Sequence, residues 1–162
     1  MDMHTNPGYR ALRRGRCSIT GQSYLVTTIC SDRIPRFTEW RNAACMSSAF
    51  TEPRLWRTSR LQCWVLMPDH LHFMVELGAE PLSRLVQRIK CVTARAINRS
   101  MGGSGRRLWT PGYHDRALRR EEDLRAVARY VIANPLRAGL AASIGEYPYW
   151  DAIWLESSAD IP

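Results

Sequence analysis

Two histidines separated by one residue are the side chains in this sequence best suited to bind a metal. They lie in the stretch Asp-His-Leu-His-Phe-Met-Val-Glu, residues 69–76, which has the apolar alternation of a β-strand. In a strand, His70 and His72 would share one face while Leu71 between them points into the core. Two imidazoles on one face can bind one divalent cation. The alternative interpretation is a pair of solvent-facing histidines on a half-exposed strand.

A tyrosine and an asparagine form the second candidate group. Tyr130 and Asn134 are four residues apart in a segment with helical apolar periodicity, so they would share one helix face. A tyrosine hydroxyl there could attack a reacting group, and the Asn134 carbonyl could complete the coordination of a metal. Oxygen ligands beside imidazole suit Mg²⁺ or Mn²⁺. The alternative is that Tyr130 packs at a helix–sheet boundary and Asn134 caps the helix before Pro135.

Alternating strand and helix signals position these groups. Strands are predicted over residues 24–30, 61–67, 70–77 and 114–119, the middle two joined by a Pro-Asp turn as antiparallel neighbours. Helices are predicted within 37–50, from Pro81 along an apolar stripe to residue 97, and from about residue 121 to the Asn134-Pro135 step. This order predicts an α+β, ferredoxin-like split βαβ fold, with helices on one sheet face and the other face free for a site.

The charge of the chain indicates a polyanionic partner. Its net charge is +8, its pI is near 9.8, and all but one of its 23 basic residues are arginine. Arginine forks onto phosphate oxygens, and neutralising phosphates releases counterions. An arginine-biased genome encoding an ordinary solvated surface is the alternative, so the positions of the arginines must decide.

Three segments carry the candidate DNA contacts. The predicted helix from Pro81 has arginines on one narrow face, which could follow a phosphate backbone or form an ordinary solvated face. The stretch after the glycine-rich loop combines charge with a tryptophan, on which a base could stack or which could pack in the core. The basic N-terminal arm could read a DNA hairpin or be a disordered tail. The candidate residues are Arg84, Arg88 and Arg95 on the helix, Arg106, Arg107 and Trp109 after the loop, and Arg13, Arg14 and Arg16 in the arm.

Three ordered motifs make the sequence resemble a known family. They are Met-Pro-Asp-His-Leu-His at 67–72, Leu-Trp-Thr-Pro-Gly-Tyr-His-Asp-Arg-Ala-Leu-Arg at 108–119, and Arg-Tyr-Val-Ile-Ala-Asn-Pro-Leu-Arg-Ala-Gly-Leu at 129–140. Together they resemble the REP-associated tyrosine transposases, members of the HUH family of single-strand nucleases. The resemblance runs from about residue 15 to residue 154. No chemical step is assigned to His114 or Asp115, which lie in the second motif.

The resemblance implies roles for individual residues. It implies a ferredoxin-like sheet with the site on a central strand, a divalent metal, and a tyrosine that cleaves single-stranded DNA. His70 and His72 look like metal ligands, Tyr130 looks like the nucleophile, and Asn134 looks like the third ligand, where related insertion-sequence transposases carry glutamine. The usual substrates of the family are repetitive extragenic palindromes, which fold as hairpins.

The expected function is therefore metal-dependent cleavage and rejoining of single-stranded DNA at such hairpins, through a covalent 5′-phosphotyrosine. Hairpin or single-stranded DNA is the expected partner, bound by a monomer or a homodimer. One alternative is a DNA-binding protein for palindromic repeats without catalysis. Another is a metal hydrolase for small phosphoesters, which would need neither Tyr130 nor the arginines.

The length of 162 residues suits one domain. We expect a basic arm over residues 1–21, the transposase domain over 22–140, and an aromatic tail over 141–162. No apolar run approaches the roughly 20 residues that cross a bilayer, and the N-terminus lacks a secretory pattern. A cytoplasmic, nucleoid-associated protein is therefore expected, without membrane contact. The five cysteines form no Cys-x-x-Cys pair and are expected to be reduced thiols packed as small apolar groups.

Overall fold

An antiparallel sheet organises the described part of the chain. The computed structural model describes residues 18–119 and 122–154, so Arg13, Arg14 and Arg16 of the predicted arm lie outside the described residues. The strands are β1 (Ser23–Ile29), β2 (Arg60–Met67), β3 (His70–Glu76), β4 (His114–Ala117) and β5 (Trp150–Ala152). Their order in the sheet is β4-β1-β3-β2-β5, with antiparallel pairing between all neighbours. β3 is therefore central, and the predicted α+β fold is confirmed.

Among the described residues, five α-helices connect the strands, three of them predicted from the sequence and two short ones, Pro53–Trp56 and Asn134–Arg137, not predicted. They are α1 (Trp40–Thr51), α2 (Pro53–Trp56), α3 (Leu82–Ser100), α4 (Leu124–Ile132) and α5 (Asn134–Arg137). Pro81 precedes the first turn of α3, where the missing N–H of proline has no helical partner to lose. Asp123 caps α4 by accepting hydrogen bonds from the backbone N–H groups of Arg125 and Ala126, at 2.9 and 3.2 Å. None of the helices in the described ranges is both long and apolar enough to span a membrane.

The larger core lies between α1, α3 and one face of the sheet. The apolar side chains of β3 that alternate with the histidines, Leu71, Phe73 and Val75, all belong to it, as the sequence predicts. Phe73 packs edge-on against Phe50 of α1, with ring centroids 5.4 Å apart. Because a fully buried aromatic fixes which way its strand faces, this packing also fixes the direction of the histidine side chains.

The second core lies on the opposite face, where α4 packs. Met74 of β3 and Val65 of β2 join Ala128, Val131 and Ile132 of α4 in one buried cluster. The prediction of helices on one face alone is wrong, because α1 and α3 cover one face and α4 covers part of the other. The physical reason is visible in β2, whose residues from Gln62 to Met67 are all buried. A continuous buried run of this kind needs cover on both faces of the sheet.

The C-terminal aromatic segment contributes a strand that the sequence did not predict. β5 pairs with β2 at the edge of the sheet. The Tyr147 hydroxyl donates a hydrogen bond to the Leu66 carbonyl at 2.5 Å, and the Trp150 indole N–H donates to the Ile144 carbonyl at 3.1 Å. The described part of this segment is therefore packed against the sheet. A strand of three residues offers too little alternation to be recognised from sequence.

The cysteine prediction is confirmed for two thiols. Cys30 and Cys63 are buried and free, and burial raises the pKa of each to about 12. Cys91 is also free but lies at the surface of α3.

Trp109 is a core residue, so the prediction that a DNA base stacks on it is wrong for this fold. Its side chain is 5% exposed, and its indole N–H donates to the Thr93 hydroxyl at 2.9 Å. Its backbone forms a bridge with Cys30 at the end of β1. The apolar surface and the polar N–H of the indole are therefore both satisfied inside the protein.

We predict that Trp109→Ala lowers the free energy of unfolding by about 3–5 kcal/mol, because it leaves a large cavity and removes the hydrogen bond to the Thr93 hydroxyl. Urea denaturation followed by circular dichroism measures the change. The matched control is Trp40→Ala, since Trp40 is 66% exposed, and it should change stability by less than about 0.5 kcal/mol. Equal effects of the two substitutions would contradict the assignment of Trp109 to the core.

Candidate active site

The two histidines of the β3 strand lie side by side on the face covered by α4. Their rings are 4.7 Å apart between centroids and nearly perpendicular, with an interplanar angle of 83°. Met74, two residues beyond His72 and thus on the same face, belongs to the cluster built by α4. The histidine pair and the helix that carries Tyr130 therefore occupy the same side of the sheet.

Each imidazole is oriented by a hydrogen bond at Nδ1. In His72 the partner is the Thr27 hydroxyl at 2.7 Å, and in His70 it is the Asp69 carboxylate at 2.5 Å. Thr27 is positioned by strand pairing, because it lies directly opposite His72 in the β1–β3 register. With Nδ1 engaged, Nε2 of each ring is the nitrogen left for a ligand. Hydrogen-bonded imidazoles of this kind are typical of metal-binding histidines.

The protonation states also favour metal binding. Burial, together with the charges of His70 and Arg137, lowers the pKa of His72 from 6.5 to about 4, against a smaller opposing effect of Asp69. His72 is therefore neutral near pH 7, with a free lone pair. Burial acts to raise the pKa of Asp69, but hydrogen bonds from His70 and Arg33 outweigh it and lower that pKa below its ordinary value. Asp69 is thus ionised beside His70.

A strained loop reaches Asp69 from the end of β1. Asp32 and Arg33 both have positive φ angles, 58° and 51°, in the left-handed region that non-glycine residues rarely adopt. This conformation brings the Arg33 guanidinium within 3.2 Å of the second Asp69 carboxylate oxygen. Roles for Thr27, Asp69 and Arg33 were not predicted from the sequence. The position of Asp69 directly before His70 is the one feature from which its contact with that imidazole could have been predicted.

Tyr130 projects from α4 into solvent. The helix buries Ala128, Val131 and Ile132 against the sheet, whereas the Tyr130 side chain is 65% exposed. The alternative that Tyr130 packs at a helix–sheet boundary does not describe this environment. An exposed phenol on the same side of the sheet as the two histidines is accessible to a large substrate.

The end of α4 explains the positions of Asn134 and Arg137. Pro135 has no N–H to donate to the Val131 carbonyl, so the Asn134 side-chain amide donates to it instead, at 2.7 Å. The Arg137 guanidinium donates to the Tyr130 carbonyl at 2.8 Å. The helix containing Tyr130 ends at Ile132, so Asn134 begins α5 and is not on the same helix as predicted. Asn134 does perform the capping role that was the alternative.

Arg137 connects the candidate residues of this region. Its guanidinium carbon lies 4.0 Å from the centre of the Tyr130 ring, and a terminal nitrogen donates to the Asn134 side-chain oxygen at 2.8 Å. Its charge also contributes to the low pKa of His72. Arg137 lies in the third sequence motif, but its contacts depend on the break in the helix before Pro135 and could not be predicted from the motif.

The chemistry of these groups fits a divalent metal. Two imidazole Nε2 atoms point away from their orienting partners, and the amide oxygen of Asn134 has a second lone pair beyond the one used by Arg137. Within residues 18–119 and 122–154, no group of three or more His, Cys, Asp or Glu side chains could hold a metal by itself. A third protein ligand must therefore be of another type, and an amide oxygen is one that Mg²⁺ and Mn²⁺ accept.

His114 lies on the same row of the sheet as this site. It is opposite Thr27 in the β1–β4 pairing, and Thr27 is opposite His72, so the three residues are in register across β4, β1 and β3. Its neighbour Asp115 is opposite Val26. Neither residue belongs to the core.

The predicted DNA-contacting arginines differ in whether their guanidinium groups are free at the surface or bound inside the protein. Arg84, Arg95, Arg106 and Arg107 are exposed, so each can meet a phosphate backbone. Arg88 instead forms a two-pronged ion pair with Glu80 and donates to the Leu55 carbonyl at 2.9 Å. The hydrogen bonds that Arg88 donates to Glu80 raise the pKa of Arg88, which stays charged but is committed to an internal contact. The structure therefore does not present Arg88 as the predicted DNA contact.

Comparison with known families identifies a match that includes both the histidine pair and Tyr130. The model of the IS200-like transposase family matches residues 18–134. The chain belongs to this family. The matched region includes His70, His72, Tyr130 and Asn134 and ends before Arg137. The resemblance drawn from the three sequence motifs is thus confirmed.

Individual relatives agree with the family match. The chain is 24% identical over 95 residues to the REP-associated tyrosine transposase of Escherichia coli K12, an alignment covering 57% of this chain. It spans about half of that relative, 54% of its length. A solved REP-associated tyrosine transposase bound to a REP hairpin superposes with a TM-score of 0.64 at 20% identity, over 83% of this chain and 79% of the other. A Deinococcus radiodurans R1 structure assigned as a transposase gives a TM-score of 0.51 at 19% identity, over 75% and 96%.

The burial of neutral His72 predicts a pH dependence of stability. An unfolded His72 has the ordinary pKa of 6.5, so between pH 6.5 and pH 4 the unfolded state binds more protons than the folded state. The free energy of unfolding must therefore fall as the pH falls through this window. From about pH 7.5 to about pH 5, this residue alone should remove about 2 kcal/mol.

Urea denaturation of the wild type and of His72→Gln at both pH values measures this contribution. The loss of stability on acidification should be smaller in His72→Gln by that amount, whatever the other titrating groups contribute. If both proteins lose the same stability, His72 is not buried in its neutral form.

Proposed function

We propose that this protein is a metal-dependent DNA strand transferase that cuts and rejoins single-stranded DNA at REP-type hairpins through Tyr130. The observation that carries the proposal is the location of an exposed tyrosine and an oriented pair of imidazoles on the same side of the sheet. Membership of the IS200-like transposase family supports it. The solved relative bound to a REP hairpin supports the substrate class.

The reaction is a transesterification at phosphorus. The Tyr130 hydroxyl oxygen attacks the scissile phosphodiester, the new P–O bond to tyrosine forms, and the bond to the 3′ oxygen breaks. The phenolic proton passes to solvent, and the departing 3′ oxygen takes up a proton to become a hydroxyl. The product is a 5′-phosphotyrosine whose bond is close in energy to the one broken. A 3′-hydroxyl from another strand can therefore reverse the reaction without ATP.

His70, His72 and Asn134 would hold the metal, with Nε2 of each imidazole and the amide oxygen as donors. When bound, Mg²⁺ or Mn²⁺ would polarise the scissile phosphate and help to orient it. Thr27 and Asp69 keep the two rings in position through their Nδ1 hydrogen bonds. The His72 ring needs no deprotonation near pH 7, because its pKa is already low.

The exposed arginines would bind the DNA flanks. Arg84 and Arg95 lie on the solvent side of α3, and Arg106 and Arg107 follow the loop after it. Guanidinium groups bind phosphate oxygens in pairs and carry no sequence preference of their own. The predicted arm with Arg13, Arg14 and Arg16 is proposed to contact the hairpin as well.

We predict that purified protein with Mg²⁺ and a labelled REP-type hairpin with single-stranded flanks forms an adduct that survives denaturation. Tyr130→Phe should abolish the adduct, because the attacking oxygen is lost, while changing the DNA affinity by less than about threefold. Denaturing gel electrophoresis measures the adduct, and fluorescence anisotropy measures binding. Tyr149→Phe is the matched control and should form the adduct normally.

Each alternative function gives a different result in this assay. Binding without any adduct in the wild type would indicate a DNA-binding protein without catalysis. Turnover of a small phosphoester that is indifferent to Tyr130→Phe would indicate a hydrolase. An adduct that persists in Tyr130→Phe would show that another residue is the nucleophile.

We further predict a difference between two arginines of α3. Arg95→Gln should weaken DNA binding and reduce the slope of log K against log salt by about 1, the value for one lost phosphate contact. Arg88→Gln should leave the slope unchanged but destabilise the fold, because it leaves the partly buried Glu80 unpaired. Anisotropy titrations over a range of salt concentrations, with a urea denaturation for each variant, separate the two effects. Equal slopes in wild type and Arg95→Gln would remove Arg95 from the DNA surface.

A further inference from the structure

Arg137 is placed where it meets both the nucleophile and a candidate metal ligand. Its guanidinium covers the Tyr130 ring at 4.0 Å and donates to the Tyr130 carbonyl at 2.8 Å. It also donates to the Asn134 side-chain oxygen at 2.8 Å. One side chain thus contacts the ring of Tyr130, the backbone carbonyl of Tyr130 near the end of α4, and the amide oxygen of Asn134.

These contacts restrict Tyr130. The exposed phenol has few packing partners, so its rotamer is set largely by what covers the ring. A planar cation stacked on the ring, and anchored at two further points, limits the directions in which the hydroxyl can point. A reaction at phosphorus gains most when the attacking oxygen is held near its final geometry.

The same contacts oppose a metal. Mg²⁺ or Mn²⁺ would bind the Asn134 oxygen at about 2.1 Å, so the ion would lie within about 5 Å of the guanidinium nitrogen that shares this oxygen. Two positive charges at this separation repel each other, and the Asn134 amide cannot turn away because its nitrogen caps the Val131 carbonyl. The free protein therefore presents a metal site that contains a competing cation.

A DNA phosphate relieves this conflict. Arg137 is exposed, and the contacts described above use two of the five N–H groups of its guanidinium. The remaining donors can bind the oxygens of a phosphodiester, and the phosphate charge then lies between the guanidinium and the metal. The phosphate that Tyr130 attacks must occupy this same position, next to the phenol.

Resting on the proposed function, we propose that Arg137 couples metal binding to DNA binding. Its guanidinium opposes a divalent cation on the Asn134 oxygen until a DNA phosphate neutralises it, and the same guanidinium holds Tyr130 for attack on that phosphate. Arg137 is thus a positioning residue for the nucleophile and the origin of the DNA dependence of metal affinity.

The coupling is measured as Mn²⁺ affinity, by electron paramagnetic resonance of the free ion. Proteins carry Tyr130→Phe, which keeps the ring but leaves the hairpin uncut. With Arg137 present, the hairpin should raise Mn²⁺ affinity at least about tenfold. Adding Arg137→Gln should raise the affinity without DNA at least about threefold and reduce the gain from DNA to less than about threefold.

Two further variants separate charge from geometry. Arg137→Lys keeps the charge and should retain the gain in Mn²⁺ affinity, but an ammonium cannot fork between two oxygens while covering a ring. With Tyr130 present and Mn²⁺ saturating, Arg137→Lys should therefore slow adduct formation at least about tenfold, with unchanged DNA affinity. Arg125→Gln, an exposed arginine on α4, is the matched control and should behave as wild type in both assays.

The results distinguish this inference from the proposed function. An unchanged DNA-linked gain in Arg137→Gln, or an unchanged adduct rate in Arg137→Lys, overturns the role of Arg137 even if Tyr130 forms the adduct. Absence of any adduct in the wild type overturns the proposed function, while the Mn²⁺ titrations still test the coupling. Thermal melts establish folding, and if Arg137→Gln does not fold, the Lys variant decides.

Discussion

The strict alternation of side chains in β3 is the constraint on which the site depends. Phe73 is locked into an aromatic core on one face, so its neighbour His72 must point to the other. A slip of one residue in the pairing with β1 would turn the imidazole into the aromatic core and move the phenyl ring out of it to the opposite face, so the core enforces the register. The same register places Thr27 opposite His72, where its hydroxyl orients the ring. The packing that stabilises the sheet thereby also orients the two histidines that we propose as metal ligands.

A second constraint comes from one missing hydrogen-bond donor. Because Pro135 cannot continue the helix, the carbonyls at the end of α4 need other donors, and the Asn134 and Arg137 side chains supply them. This termination draws both polar groups toward the residue that carries the phenol. In a continuous helix, Asn134 would lie one turn after Tyr130, and its amide would have no fixed hydrogen-bond partner. The break gives the amide a fixed orientation, with its oxygen outward and shared with Arg137.

The periodicity of apolar residues was sufficient to predict the elements that depend only on neighbouring residues in the chain. The alternation of β3, the apolar stripe of α3 and the stop at Asn134-Pro135 each follow from a few neighbouring residues, and all are present in the fold. Features that depend on distant partners could not be predicted. β5 exists because β2 offers it an edge, and Trp109 is buried because Thr93 and Phe37 lie over it. The contacts of Arg137 require the three-dimensional path of the chain after Ala133, and the pairing of Arg88 with Glu80 requires the conformation of the segment before α3.

The electrostatics of the site follow from two opposed requirements. In the proposed function, the net charge of +8 would attract DNA, whereas a divalent cation would have to bind near the positive charges of Arg33 and Arg137. Burial keeps His72 uncharged, and the ionised Asp69 offsets the charge of Arg33 beside His70. Arg137 is not offset by a carboxylate in its described contacts, which are to two neutral oxygens and an aromatic ring. A phosphate is the charge that would complete this arrangement, which is why the coupling proposed above assigns a DNA phosphate to the guanidinium beside Tyr130.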